Sequence, residues 1–262
     1  MVKNLLFLFI SILTIPINGQ NIQVDQSNSY NLFGEVLKKS KDIKYGEIVE
    51  QYNDYISKHP DNIAVKVYRC RFIGSAYYDE YDDYDTNYEE TEKCIEELYS
   101  QYPENPEVLL YKLEYAYGEE KKELLNETIS LYYSDKDKWS YNQVASLFEI
   151  GAYYYVEEND YKAIDYAERA EKFSDSLDLS ILITNAQLRE GNRDKALESI
   201  LFSLYRDGEA WQLQEKGELL IELDQHDKAF ELFERAKLKD SLYTSNTGLY
   251  KIFVENRKYE IA

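Results

Sequence analysis

The chain has 262 residues, enough to bury a core, and contains only four Pro and ten Gly. So few helix breakers favour long helices over many short strands and turns. The formal net charge of −20 repels phosphate backbones and anionic headgroups, which argues against nucleic acid and membrane surfaces as partners. A protein partner with a basic segment would suit this charge, although acidity also keeps a protein soluble.

The first residues, MVKNLLFLFISILTIPINGQ, have the layout of a secretory signal peptide: a basic residue, an apolar run from Leu5 to Ile17, and a polar end. At about 1.5 Å per residue this run is too short for a hydrocarbon layer of roughly 30 Å. We therefore expect a signal peptide over 1–19, cleaved after Gly19, and a polar linker over 20–29. The remaining chain would be exported, periplasmic or secreted, with no membrane span.

Small residues recur at a spacing of 33 residues along the C-terminal half. Four stretches, VEENDYKA, REGNRDKA, ELDQHDKA and ENRKYEIA, end at Ala163, Ala196, Ala229 and Ala262. Twelve residues before the first three alanines stand Gly151, Thr184 and Gly217. In an antiparallel helix pair, a Gly facing an Ala lets the two axes approach closely. The spacing therefore predicts a helical hairpin that is used repeatedly.

This pattern resembles the tetratricopeptide repeat, whose signature is W-x2-L-G-x2-Y, then A-x3-F, then a Pro near the end of each unit. IGAYY at 150–154 matches L-G-x2-Y, KGELL at 216–220 keeps the Gly, and AFELF at 229–233 matches A-x3-F. Leu147 and Leu213 replace the signature Trp, and no Pro ends these units. Two prolines do end amphipathic stretches in the N-terminal half.

The resemblance implies an all-α fold, with 30–262 forming a right-handed superhelix of about six hairpins and a terminal helix. The expected pairs are 30–41 with 46–58, 62–78 with 89–102, 106–117 with 119–134, 140–156 with 159–173, 177–189 with 192–206, and 209–223 with 226–239, followed by a helix over 242–255. Each hairpin would stack on its neighbours and leave a concave inner surface. An ordinary helical bundle with a chance register of small residues is the alternative.

For function, the resemblance implies a non-catalytic scaffold whose first helices line a groove for a peptide or partner protein. By register, the groove positions include Phe148, Ala152, Tyr155, Ile181, Asn185, Leu188, Trp211, Gln214, Glu218 and Ile221. The aromatic side chains would give contact area, and the amides could pair with a partner's main chain. Packing between hairpins is the simpler interpretation for each apolar position. Two other functions stay open: a sensor or assembly region of a larger exported protein, and a helical hydrolase with paired acids.

Residues that usually carry catalysis or bind metals are few. The two histidines, His59 and His226, lie in separate predicted turns, so a multi-His metal site or a Ser-His relay is not available. We therefore predict no catalytic residue, no metal site and no cofactor. Cys70 and Cys94 lie on two helices of one predicted hairpin and could form a disulfide in an exported protein or remain buried thiols.

The stretch YYDEYDDYDTNYEE, residues 77–90, is strongly acidic and contains no basic residue. Asp83, Asp85 and Asn87 stand at the alternate spacing of a calcium loop, but Tyr88 replaces the Gly that the sharp turn needs. A solvated acidic loop, or a docking patch for a basic partner, is the competing interpretation.

Overall fold

A computed structural model of the chain describes residues 45–75, 84–156, 158–206 and 208–240. Within these ranges every regular element is helical and there is no strand, so the all-α prediction is confirmed for this part of the chain. The helices are α1 Tyr45–Lys58, α2 Ile63–Ser75, α3 Tyr84–Gln101, α4 Pro106–Tyr115, α5 Gly118–Ser134, α6 Tyr141–Tyr155, α7 Asp160–Phe173, α8 Ser180–Arg189, α9 Arg193–Phe202, α10 Ala210–Glu222 and α11 His226–Lys239, with a 3-10 turn at Lys136–Lys138.

Several predictions concern parts of the chain outside these ranges. The signal peptide over 1–19, the linker over 20–29, and the helices over 30–41 and 242–255 all lie outside the described residues. The same holds for Ala262, the fourth alanine of the register. These statements therefore stay predictions.

Most predicted helices begin and end within three residues of the observed ones, and two differ by more. Helix α9 ends at Phe202, four residues early, because the chain turns there and Arg206 Nη1 donates to the Leu177 carbonyl at 2.6 Å. Helix α3 begins at Tyr84, five residues early. Acidic residues near the N-terminus of a helix favour such an extension through the helix dipole.

The early start of α3 bears on the calcium hypothesis. Asp85 and Asn87 lie on a helical backbone, whereas a calcium loop needs alternate residues of an irregular turn. The calcium-loop interpretation is therefore wrong for these two positions, and Asp83 lies outside the described residues.

The chain divides into two compact units, one ending at Lys138 and the other beginning at Trp139. In the first unit α1 packs on α2, and α2, α3 and α4 pack against one another. Its larger buried cluster lies between those three helices and contains Val67, Cys70, Ile95, Leu98, Val108 and Tyr111. A smaller cluster between α1 and α2 contains Tyr52, Tyr55, Val65 and Phe72.

A disulfide joins Cys70 of α2 to Cys94 of α3, with the two Cα atoms 5.7 Å apart. This separation lies in the usual range for such bonds. The Cys70 side chain is buried in the larger cluster, so the bond ties the two helices together inside the core. The bond spans 24 residues of sequence and restricts the unfolded chain accordingly.

In the described part of the second unit, up to residue 240, the helices form three hairpins: α6 with α7, α8 with α9, and α10 with α11. Successive hairpins also touch, because α8 packs on α7 and on α10. Two helix starts are fixed by side chains: Ser140 and Gln143 form a reciprocal cap on α6, and Asn159 accepts from the Lys162 amide at 3.0 Å on α7. The predicted pairing of these six helices is therefore observed.

The alanines and glycines of the 33-residue register lie inside these hairpins. Ala163, Ala196 and Ala229 are fully buried. The register predicts an alanine opposite Gly217, but the atoms nearest to a Cβ at this position belong to the Phe233 ring, with Cε1 2.5 Å away. The absence of a side chain at Gly217 therefore leaves room for the Phe233 ring of the second helix, and the two helices pack closely around that ring.

Polar bonds connect one hairpin to the next. Lys216 of α10 is 2% exposed, and its ammonium contacts the Asp178 carboxylate at 2.5 Å and the Ser203 carbonyl at 3.2 Å. Arg235 of α11 donates to the Leu204 carbonyl at 2.7 Å. Since these partners belong to the preceding hairpin or its flanking turns, the second unit is held together by buried cations as well as by its apolar core.

Candidate partner-binding face

The first helix of each hairpin in the second unit has one row of side chains that reach solvent. The rows follow helical spacing, three or four residues apart, as expected for one side of a helix. We call these rows together the first-helix face: Asn142, Ser146, Glu149 and Tyr153 of α6, Ile181, Asn185 and Leu188 of α8, and Trp211, Gln214, Glu215, Glu218 and Glu222 of α10.

Two aromatic side chains stand out on this face. Tyr153 is 57% exposed and Trp211 is 45% exposed, whereas Phe148 and Tyr155 of α6 are buried; Tyr161, Phe202 and Phe230 on the second helices are exposed as well. Exposed Tyr and Trp residues are enriched where proteins bind other proteins, since they give a large contact area at little loss of side-chain entropy. The half-buried Ile181 and Leu188 of α8 pack with their inner edges against the core.

The structure corrects the sequence prediction at Phe148 and Tyr155. These side chains are only 1% and 3% exposed, and Ala152 is fully buried. The Tyr155 ring stacks on the ring of Tyr166 at 5.5 Å between centroids, and Phe148 stacks on Phe173 at 6.3 Å. Both therefore belong to the contact between α6 and α7 and offer almost no surface to a partner.

The reason for this error is a rotation of one residue. On α6 the solvent-facing positions are Glu149 and Tyr153, each one residue after a predicted groove position. One residue corresponds to a turn of about 100° around the helix axis, enough to move a side chain from solvent into the core. The 33-residue spacing alone does not fix this rotation. The exposed residue, Tyr153, is one of three consecutive tyrosines at 153–155, and the sequence does not show which of the three faces solvent.

Six predicted residues do lie on the first-helix face: Ile181, Asn185, Leu188, Trp211, Gln214 and Glu218. The predicted Ile221 packs against the buried cluster instead. Gln214 Nε2 donates to Glu218 Oε1 at 3.3 Å, so these two side chains hold each other along α10. Asn185 is half-buried in the middle row. The prediction missed the other six residues of the face: Asn142, Ser146, Glu149, Tyr153, Glu215 and Glu222.

The first-helix face is acidic. It contains four glutamates and no Lys or Arg. Burial, and then the neighbouring Glu218, raise the pKa of Glu215 above its ordinary value. Burial also raises the pKa of Tyr153, followed by the charges of Glu149 and Glu215.

The second helices of the same hairpins carry charges of both signs. Their exposed ionisable residues are Lys162, Asp165, Glu168 and Lys172 on α7, Arg193, Asp194, Lys195 and Glu198 on α9, and Asp227, Glu231, Lys237 and Lys239 on α11. Several are in ion pairs, for example Arg169 with Asp165 at 2.9 Å. The exposed charges of the second helices therefore balance, whereas the first-helix face has four glutamates and no base; further acids of the second unit lie in its turns.

An open surface cavity of about 580 Å³ lies beside the turn between α6 and α7. Its polar atoms already serve the contact between hairpins. Arg189 donates to both carboxylate oxygens of Asp160, at 2.5 to 3.2 Å, and to the Val156 carbonyl at 3.2 Å. The cavity therefore results from the polar contacts by which Arg189 holds α8 against the preceding hairpin.

Among the described residues, no group of three or more His, Cys, Asp and Glu side chains is arranged to hold a metal ion. His59 packs its ring on Tyr55 at 4.4 Å between centroids. His226 is the first residue of α11. Of the helices in the described ranges, none has the length and apolar character needed to cross a bilayer.

No protein-family model matches the chain, and no curated protein matches it. What the described residues define is a class of fold: an all-α protein whose second unit is built from three helical hairpins.

Proposed function

We propose that this protein is a non-catalytic interaction scaffold of the tetratricopeptide-like type, which binds a segment of a partner protein along the first-helix face. The observation that carries the proposal is the exposure of Tyr153 on α6 and of Trp211 on α10, both of them first helices of a hairpin. Gln214 lies one turn after Trp211 on α10, and Asn185 lies on α8; both are amides that suit a partner's main chain. A site of this kind needs no catalytic group.

The repeating hairpin supports the extension of this arrangement into a solenoid. Buried alanines recur at 33-residue intervals in all three hairpins of the second unit, and each hairpin packs on the next. Units that bury their apolar faces only against neighbours build superhelices with an extended concave surface. In the proposed right-handed superhelix the first-helix face forms that surface.

The proposed location is the exported space, periplasmic or extracellular. The N-terminal sequence pattern of a signal peptide supports export. The Cys70–Cys94 disulfide supports it independently, because such bonds persist in oxidising compartments and are rare in the cytosol.

Site-specific photo-crosslinking tests the proposed face. A benzophenone amino acid replaces Trp211 on the first-helix face or, as the matched control, Phe230 on α11, which is 48% exposed. The protein is expressed in its native host, and the envelope fraction or the medium that contains it is irradiated. We expect a crosslinked partner at position 211 that is absent at position 230. Equal products at both positions, or none at 211, would contradict the proposal.

A further inference from the structure

The two sulfur atoms of the disulfide have different surroundings. Cys70 on α2 is 1% exposed and lies in the buried cluster with Val67 and Val108. Cys94 on α3 packs against that cluster and is only half-buried. The bond is therefore more open to solvent at Cys94 than at Cys70, and access is one of the factors that set the rate of thiol–disulfide exchange.

A guanidinium lies beside the more accessible sulfur. Arg69 Nη1 on α2 donates to Cys94 Sγ at 3.5 Å, and Arg69 Nε donates to Asn53 Oδ1 on α1 at 2.7 Å. The bond to Asn53 holds the guanidinium in place against the sulfur. An adjacent cation stabilises a cysteine thiolate relative to the thiol, and the thiolate is the form that attacks disulfides.

Two carboxylates on α3 oppose this effect from a distance. Glu90 and Glu97 stand about one turn before and one turn after Cys94 on the same helix, and both are exposed. Water and salt screen their charges, whereas the guanidinium of Arg69 contacts the sulfur directly. The effect of Arg69 therefore dominates.

Two lysines that reach the same region are bound elsewhere. Lys66 of α2 donates to the Tyr102 hydroxyl at 2.8 Å, and Lys112 of α4 pairs with the Glu96 carboxylate at 2.6 Å. Within the described ranges, Arg69 is therefore the cation that contacts the half-buried sulfur.

We propose that Cys94 is a site of mixed-disulfide formation with low-molecular-weight disulfides, and that Arg69 is the positioning residue that makes it reactive. The Cys94 thiolate attacks one sulfur of the small disulfide, and the other sulfur leaves as a thiolate that takes up a proton. Cys70 then loses its proton and attacks the Cys94 sulfur, which releases the second small thiol. The hydrogens that the two cysteines lose are gained by the small disulfide. This role is independent of the first-helix face.

Reaction of single-cysteine variants with oxidised glutathione, followed by intact mass, tests the assignment of the two sulfurs. Cys70→Ser keeps Cys94, and Cys94→Ser keeps Cys70. We expect Cys70→Ser to form the glutathione adduct at least about tenfold faster, because its remaining sulfur is more accessible and lies beside a cation. Partial alkylation of the reduced wild-type protein with iodoacetamide, followed by peptide mapping, checks the same order without a substitution, and Cys94 should be labelled first.

Substitution of Arg69 in the Cys70→Ser background tests its role. Arg69→Gln should slow adduct formation by about fivefold or more and move the rise of the rate to higher pH, because the thiolate loses its cation. Arg69→Lys should restore part of the rate. The matched control is Lys93→Gln, which removes the same charge from the exposed residue next to Cys94 and should change the rate by less than about twofold. Circular dichroism melting checks that each variant is folded.

Equal adduct rates in Cys70→Ser and Cys94→Ser would overturn the assignment of Cys94, and so would labelling of Cys70 first in the wild-type protein. An unchanged rate in Arg69→Gln, or equal slowing by Arg69→Gln and Lys93→Gln, would overturn the role of Arg69. Adduct formation only in variants that have lost their melting transition would show that access comes from unfolding, which also contradicts the proposal.

Discussion

The Phe233 ring of α11 fills the space where a side chain on Gly217 of α10 would stand: a Cβ there would lie 2.5 Å from Cε1 and 2.8 Å from Cζ. Both residues belong to the 33-residue register, and both are buried. The packing of this hairpin therefore requires a glycine at position 217 of the first helix and a large ring at position 233 of the second.

Gly217→Ala should destabilise the protein by about 1 to 3 kcal/mol, because the ring cannot withdraw from a packed core without strain. The sign is diagnostic, since Gly→Ala inside an ordinary helix stabilises by roughly 0.5 to 1 kcal/mol. Urea unfolding measures the effect. The double variant Gly217→Ala, Phe233→Leu serves as the control: if the ring is the cause, the two effects are not additive. Additive effects would contradict this packing.

The buried ion pair between Lys216 and Asp178 should make stability depend on acid. Burial alone would raise the pKa of Asp178, but hydrogen bonds from Lys216 and Ser180 outweigh it and leave this pKa below its ordinary value. Because the pKa of Asp178 is lower in the folded than in the unfolded protein, the ion pair adds to the free energy of unfolding above about pH 4, the ordinary pKa of Asp. This contribution is lost as the pH falls through the folded pKa.

Asp178→Asn should therefore lower stability at neutral pH, by about 3 kcal/mol if Lys216 remains charged and buried. It should also flatten the fall in unfolding free energy below about pH 4. Urea titrations at several pH values measure both effects. The double variant Asp178→Asn, Lys216→Met should recover most of the loss, because it leaves no unpaired charge. An unchanged acid dependence in the single variant would show that other carboxylates control it.

The Cys70–Cys94 disulfide should stabilise the first unit. Reduction, or the double variant Cys70→Ser, Cys94→Ser, should lower stability by roughly 3 kcal/mol for a loop of 24 residues in the chain-entropy model. Thermal melting with and without reductant measures this, and intact mass should rise by about 2 Da on reduction. The double Ser variant should not respond to reductant. A wild-type protein whose mass and melting are also unaffected would show that the bond is not formed.

Alanine substitution should separate the buried aromatic residues from the exposed ones in the second unit. Phe148→Ala should destabilise by about 3 to 5 kcal/mol, since it removes a fully buried ring between α6 and α7. Trp211→Ala should change stability by less than about 1 kcal/mol, because that side chain is 45% exposed. Equal effects in urea unfolding would mean that the assignment of core and face is wrong.

The sequence was sufficient to predict the hairpins of the second unit. Alanines and glycines at a fixed interval mark where two helices touch, and that mark does not depend on the rest of the chain. It could not show which residue of an aromatic run faces outward, since Tyr153, Tyr154 and Tyr155 differ only by rotation about the α6 axis. Contacts with Tyr166 on α7 fix that rotation, and they depend on the folded pair.

The acidity of the first-helix face was also hidden, for a similar reason. Glutamates are spread along the whole chain, and the folded structure decides which of their carboxylates have a Lys or Arg beside them. Asp178 sits beside Lys216 in space although 38 residues separate them, while Glu215 lies next to Lys216 in sequence and points to solvent without a cation. Only the folded arrangement distinguishes these two carboxylates.

The most direct test of the central claim is the fluorescence of Trp211 during titration with the partner that the crosslink at position 211 identifies. In a Trp139→Phe background Trp211 is the single tryptophan, since the chain has two. We predict that its emission shifts to shorter wavelength with saturation, because the partner segment covers a ring that is 45% exposed. An emission that stays constant while the partner binds would place the binding surface elsewhere and contradict the account.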